Sequence, residues 1–311
     1  MKLITLPDRN AWLCERRRGL GGSDVPAVIG ISPWRTPLQV WAEKVGLETS
    51  PEESYTLRRG SHMEGLIAGE LEREIEETDP AGKLCCSVDW TPGEFRIVEG
   101  PEPWMRYSPD AFGSTMLPPN PPSAQFLAEF KSHPRGASEW EEGPPPHVLA
   151  QVQWGMHVCD MGEAYVAVDL GTEFRWARVE RDPSWWPAHE GAIRAFWRLV
   201  ETETAPEPTG DEGDKATLLR MFPRETEGKA IGLPVEMLDD VRRLDELAAQ
   251  AKATRDEMDL IQNRVRAAMG DAERATLIDG SGFTYRAQER AEHMVKASSS
   301  RVLRRVARKE K

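Results

Sequence analysis

The stretch from Tyr107 to Lys131 constrains this chain most: YSPDAF, a Pro/Ser-rich gap, then QFLAEFK. Glu129 and Lys131 lie two apart, and successive side chains of a β-strand alternate between its faces, so both point the same way. Asp110 is expected to close the preceding extended run, which lets two carboxylates and an ammonium converge. An acidic pair suits hard, oxygen-ligated cations such as Mg²⁺, and a neighbouring lysine can orient or deprotonate an attacking water. That is equipment for cleaving a phosphodiester. The same spacing also suits a surface salt bridge on an edge strand, so the flanking sequence has to decide.

Size and charge narrow the field. A chain of 311 residues suits one large domain with an appendage, or two domains, with enough length for a real core. The formal net charge of −12 requires that any nucleic-acid binding come from local basic patches, and it excludes a non-specific DNA coater. Cys14, Cys85, Cys86 and Cys159 form no CxxC pair, which disfavours zinc or an iron–sulfur cluster and leaves free thiols in a reducing compartment. No signal peptide and no apolar run near ~18 residues is found, so a soluble, cytoplasmic protein is expected.

Near the N-terminus, Arg16, Arg17 and Arg18 precede a turn made by Gly19, Gly21 and Gly22. Ser23 is expected to cap a short helix that has Pro26 in its first turn and reaches Ile29. Guanidinium forks beside free helix N–H groups suit phosphate; an ordinary capped helix with solvated arginines fits the same residues. A second helix is expected from about Pro37 to Val45. Met63, Ile67, Leu71 and Ile75, four apart, predict an amphipathic helix. Glu64 sits beside its apolar stripe, unlike Glu70, Glu72, Glu74, Glu76 and Glu77 on the solvated face, and His62 reads as a helix-start residue.

Strands are expected at Cys85–Asp89, Phe95–Val98 and Trp104–Tyr107, and TMLPPNPPSA reads as a loop joining a hairpin-like pair. In HVLAQVQWGMHVC, Val148, Val152, Met156 and Cys159 mark a helix. Gln151, beside this stripe, can reach a substrate or a metal-bound water, or pack at the core edge. AYVAVDL and FRWARVERD read as strands joined at Gly171, followed by a Trp-rich helix from Ser184 to about Glu201. Strands, a helix and more strands make an α/β core. The expected organisation is a core domain over 1–203, an acidic Pro/Gly-rich linker over 204–233, and a C-terminal module over 234–311. That module should hold one long helix or two between Pro234 and Met269, ~50 Å if unbroken, then a hairpin around Asp279–Gly282 and the basic tail RVLRRVARKEK.

Taken in order, GGSDVPAVIGISPWRTPLQVWAEKVG, RGSHMEG, SPDAF, EFK, AQVQWGMHV and AFWRLV resemble the YqaJ-type viral recombinase group. These are relatives of phage lambda exonuclease within the PD-(D/E)XK nuclease superfamily, and the resemblance spans about residues 12 to 200. It implies a restriction-endonuclease-like core, a central mixed sheet flanked by helices. The implied activity is Mg²⁺-dependent exonuclease digestion of linear double-stranded DNA from its ends, 5′-to-3′, in phage-type homologous recombination, with Mn²⁺ able to substitute.

By position, Asp110, Glu129 and Lys131 match the nuclease core, Glu64 matches its helical glutamate, and Gln151 matches the glutamine of the following helix. The metal set would then be Asp110, Glu129 and Glu64. Arg16, Arg17, Arg18 and Ser23 match the stretch that holds a 5′-phosphate, with the arginine register open. A homo-oligomer, a single-strand annealing partner and a bacterial or phage-infected cytoplasm are implied as well. The alternatives are an endonuclease of restriction or repair type, a non-catalytic DNA-binding recombination scaffold, and the cysteine-containing nucleases that carry an iron–sulfur cluster.

Overall fold

Alternation along two central strands decides the architecture. In the computed structural model, which describes residues 2–47, 54–116, 124–289 and 303, QFLAEFK lies in β6 (Ala124–Ser132). Phe126, Ala128 and Phe130 enter one apolar cluster, whereas Leu127 enters another. Its neighbour β7 (Glu163–Asp169) sorts in the same way, with Tyr165 and Ala167 on the first side and Ala164, Val166 and Val168 on the second. A strand buried on both faces reads as a near-continuous apolar run, and Glu129 and Lys131 interrupt that run on the second face.

The sheet order is β2-β5-β6-β7-β8, with β2 at Cys85–Asp89, β5 at Ala111–Met116 and β8 at Phe174–Glu180. The β6–β7 pair is parallel and the others are antiparallel. A parallel pair needs a crossover, and α5 (Pro146–Cys159) supplies it. On the Phe126 face lies α4 (Tyr55–Glu77), packed through Ile67, Leu71 and Ile75 as the four-residue spacing predicts. On the Leu127 face lie α5 and α6 (Trp185–Glu201), bringing Val152, Trp154, Ile193 and Phe196. The sheet is therefore mixed and flanked by helices.

A smaller sheet covers one end: β1 (Lys2–Leu6), β3 (Phe95–Glu99) and β4 (Arg106–Tyr107) pair antiparallel in that order. After α1 (Arg9–Arg17) the chain runs beside β4, where the Leu20 N–H donates to the Trp104 carbonyl and the Arg106 N–H donates to the Leu20 carbonyl. Glycine is required here, because a Cβ on Gly19 would lie 2.2 Å from the Trp104 oxygen. Then follow α2 (Val25–Val28) and α3 (Pro37–Lys44); Thr36 and Gln39 form a reciprocal capping box on α3.

Several expectations change. The strand expected from Trp104 is confined to Arg106–Tyr107, and Asp110 stands before β5 instead of closing the run ahead of it. The N-cap of α2 is Asp24, not Ser23, and it makes no side-chain cap bond. Within 204–233, α7 (Glu212–Met221) packs against α3, and its Asp214 accepts a bond from Thr36. Asp214 and Thr217 are buried, so helix packing holds this part of the expected linker.

The chain divides into two units, Met1–Pro223 and Arg224–Lys311. The second holds one unbroken helix, α8 (Met237–Met269), stopped at Gly270, and a hairpin of β9 (Arg274–Thr276) and β10 (Gly282–Thr284). Most of the TMLPPNPPSA loop and, apart from Leu303, the basic tail lie outside the described residues. Among the described residues no helix is long and apolar enough to cross a membrane.

Candidate active site

Glu129 is the hub. Only 2% of the residue is exposed, yet three donors reach its carboxylate. The Tyr107 hydroxyl donates to Oε2 at 2.8 Å, Gln151 Nε2 donates to Oε1 at 2.5 Å, and the Lys131 ammonium contacts the same Oε1. A buried carboxylate needs such partners. Strand alternation delivers Lys131 and the crossover helix delivers Gln151, whose Oε1 also accepts from Lys131 at 3.2 Å. Gln151 thus bonds both members of the Glu129–Lys131 pair.

Asp110 completes the group from the head of β5. Its Oδ2 accepts the backbone N–H of Phe130 at 2.6 Å, which fixes it beside the Glu129 strand. Burial, followed by the charge of Glu129, pushes the Asp110 carboxyl well above the ordinary aspartate value, with Lys131 opposing. Burial alone would pull Lys131 down, but Glu129 and Asp110 outweigh it and raise it above the usual lysine value. Beside these carboxylates Lys131 stands as an ammonium, suited to orienting a water or phosphate oxygen.

Glu64 stands apart. Its Oε2 accepts from Trp90 Nε1 at 3.2 Å, and burial, ahead of every other cause, raises its carboxyl. Its helix packs on the Phe126 face, opposite the face of Glu129. Among the described residues no group of three His, Cys, Asp and Glu side chains is arranged to hold a metal ion. The donor chemistry that does fit a hard cation is the closely spaced Asp110 and Glu129 pair, whose mutual repulsion a divalent ion would relieve.

The three arginines separate cleanly. Arg16 Nη2 donates to Ser23 Oγ at 2.8 Å, and its guanidinium lies 4.7 Å from the centre of the Trp12 ring. Arg18 pairs with Glu15 with 70% of its side chain exposed, and Arg17 Nε is buried without a hydrogen-bond partner. Arg16, Ser23 and Gly22 line one pocket of about 180 Å³ together with Tyr107, Asp110 and Gln151. The arginine–serine pair and the acidic site therefore share a wall.

A network that the motifs did not foretell holds this wall. Asp24 Oδ2 accepts the Gly21 N–H at 2.9 Å and lies 2.7 Å from Lys44 Nζ, which itself donates to the Arg16 carbonyl at 2.9 Å. Arg35 reaches Asp24 Oδ1 at 3.0 Å. Tyr107 was missed as well; its position two residues before Pro109, at the end of an extended run, was the available signal. Cys14, Cys85, Cys86 and Cys159 are free thiols.

An acidic residue leading β5, Glu-x-Lys on β6 and a crossover helix to a parallel β7 define a PD-(D/E)XK restriction-endonuclease-like α/β core. Residues 11–162 match the YqaJ-like viral recombinase domain. It is similar to the uncharacterized protein YqaJ of Bacillus subtilis (strain 168), 26% identical over 287 residues, which cover 85% of this chain and 79% of that protein. Among solved structures, an alkaline exonuclease from Laribacter hongkongensis is 18% identical with a TM-score of 0.47, over 63% of this chain and 94% of the exonuclease. Its complex with dAMP is 16% identical with the same TM-score and coverage.

Proposed function

We propose that this chain is a metal-dependent exonuclease that digests linear double-stranded DNA from its 5′ ends in phage-type recombination. The observation that carries the reading is the single pocket bounded by Arg16 and Ser23 on one side and by Asp110 and Gln151 on the other. An end-directed enzyme needs a site for the terminal phosphate within reach of the scissile bond, and one pocket offers both.

Asp110 and Glu129 would hold Mg²⁺ or Mn²⁺, which when bound supplies an acidified water and positive charge against the phosphoryl oxygens. Gln151 and Lys131 fix the Glu129 carboxylate, and the Lys131 ammonium orients the attacking water or a phosphate oxygen. Tyr107 closes the inner side of Glu129. Arg16 and Ser23 offer charge-assisted bonds to a terminal phosphate, whose extra negative charge distinguishes an end from an internal diester.

Digestion of end-labelled linear duplex, with and without a 5′-phosphate, beside a covalently closed circle tests the reading. Loss of the 5′-phosphorylated linear substrate with Mg²⁺, none with chelator and an intact circle are expected. Cutting of the circle would replace the reading with an endonuclease, and binding without cleavage would replace it with a scaffold. Expectations carried by the family alone, an annealing protein as partner among them, rest on the resemblance.

A further inference from the structure

Helix α7 lies in the stretch whose composition reads as a linker, yet it carries a buried carboxylate that the nuclease chemistry does not use. Asp214 is 1% exposed. Its Oδ2 accepts the Thr209 N–H at 2.5 Å and the Thr209 hydroxyl at 2.7 Å, both within its own segment. Its Oδ1 reaches another helix and accepts the Thr36 hydroxyl.

Thr36 makes this contact more than packing. A hydroxyl has one proton to donate. Thr36 gives it to Asp214, which leaves a lone pair for the Gln39 N–H at 3.2 Å and completes the capping box that starts α3. The adjacent residue, Arg35, donates to Asp24 Oδ1 at 3.0 Å and to Glu43 Oε2 at 2.5 Å. At the far end of α3, Lys44 holds Asp24 Oδ2 at 2.7 Å and the Arg16 carbonyl at 2.9 Å. Between the two ends, Trp41 Nε1 donates to the Leu199 carbonyl at 3.1 Å and pins the helix to α6. An unbroken helix of ~12 Å has no internal joint, so pinned near its middle it pivots as one piece. A shift at Thr36 is then felt at Lys44, and through it at the backbone of Arg16.

We infer that Asp214 is a positioning residue for the terminal-phosphate site: through α3 it sets the placement of Arg16, and with it the preference for a 5′-phosphorylated end. The inference rests on the reading of Arg16 and Ser23 as that site.

Rates on 5′-phosphorylated and 5′-hydroxyl linear duplex, measured over DNA concentration at saturating Mg²⁺, test it through the ratio of the two kcat/KM values. Asp214→Ala and Thr36→Val should each lower this ratio about fivefold or more, the lower end of typical coupling between separate sites. The change should sit in KM for the phosphorylated end, with kcat little altered. Thr36→Ser keeps the hydroxyl and should keep the wild-type ratio. Leu218→Ala is the control: it removes packing on the core from the same helix and should lower stability without changing the ratio. Hydrogen exchange needs no cleavage, and peptides over residues 15–25 should lose protection in Asp214→Ala and keep it in Leu218→Ala. A wild-type ratio or unchanged protection in Asp214→Ala would overturn the inference, as would an equal fall in Leu218→Ala. A wild type that digests both ends alike would overturn the phosphate-site reading and the claim on end preference together.

Discussion

Lys44 Nζ lies 2.7 Å from Asp24 Oδ2, and neither side chain has any exposed surface. Through the Gly21 N–H and the Arg16 carbonyl this one pair ties together both sides of the Arg16–Ser23 pocket wall. Asp24→Asn leaves the buried Lys44 ammonium without its carboxylate and Lys44→Met leaves Asp24 to Arg35; breaking a buried pair typically costs about 3–5 kcal/mol. Lys44→Met and Asp24→Asn should each lower stability to chemical denaturant by about that much, while the double variant should recover a large part of it, as a double-mutant cycle would read.

The same pair sets an acid limit. Burial alone would raise the Asp24 carboxyl, but Lys44, Arg35 and Arg16 outweigh it and hold Asp24 well below the ordinary aspartate range. Its folded-state pKa thus lies below the unfolded value of about 3.9. The stability it contributes is fully present above that unfolded value and is lost as pH falls through the folded one. Burial lowers the Lys44 ammonium, with Asp24 opposing. Urea unfolding below about pH 4 should show a smaller loss in the Asp24→Asn/Lys44→Met double variant than in wild type.

The arginine cluster gives a selective outcome. Arg16 faces the pocket and Arg18 faces solvent beside Glu15. Losing a charge-assisted bond typically costs about 1.5–3 kcal/mol, roughly ten- to hundredfold. Arg16→Ala should therefore slow digestion of 5′-phosphorylated duplex by that factor with much less effect on 5′-hydroxyl duplex. Arg18→Ala should change neither. Equal slowing of both substrates by Arg16→Ala would reduce the residue to a general backbone contact.

What could be read in the sequence was what rests on period and local chemistry. The four-residue spacing gives α4, the alternation of QFLAEFK gives the shared face of Glu129 and Lys131, and Gly270 marks the end of α8. What escaped depends on side chains far apart in the chain. Glu129 and Tyr107 are 22 residues apart, and Lys44 and the Arg16 carbonyl 28 apart; no local pattern couples them. The acidic, Pro-rich composition around Thr204–Asp214 concealed α7 because its hold on α3, the Thr36–Asp214 bond, is tertiary and crosses 178 positions. Ser23 suits an N-cap by type, yet it bonds Arg16 instead.

Tyr107 is clamped between two glycines. A Cβ on Gly155 would lie 2.4 Å from Tyr107 Cζ, and one on Gly22 would lie 2.6 Å from its Cε2. Gly155→Ala should therefore displace the ring, lower stability by the roughly 1–3 kcal/mol typical of overpacking, and disturb Glu129 through its lost partner. Tyr107→Phe isolates that second effect, since the ring stays and only the hydroxyl goes. It should reduce kcat about tenfold or more with little change in KM for DNA, on the ~1.5 kcal/mol worth of a bond to a charged group.

Glu64 separates fold from chemistry. Its Oε2 accepts from Trp90 Nε1, and Glu129 and Lys131 both contribute to its titration. Glu64→Gln preserves an acceptor for the indole, so the variant should fold as wild type. Glu64→Ala orphans the indole N–H and should cost about 1–3 kcal/mol if that group stays buried. Asp110→Asn and Glu129→Gln each remove a charge from the pair that fits a divalent cation, and both should abolish cleavage of linear duplex while leaving DNA binding in place. Glu64→Gln, by contrast, should shift the Mg²⁺ concentration needed for half-maximal rate upward, with most of the rate recovered at saturating metal. A rate that stays at zero whatever the Mg²⁺ concentration would place Glu64 with Asp110 and Glu129 as an indispensable ligand, its Oε1 being free of the Trp90 bond to Oε2.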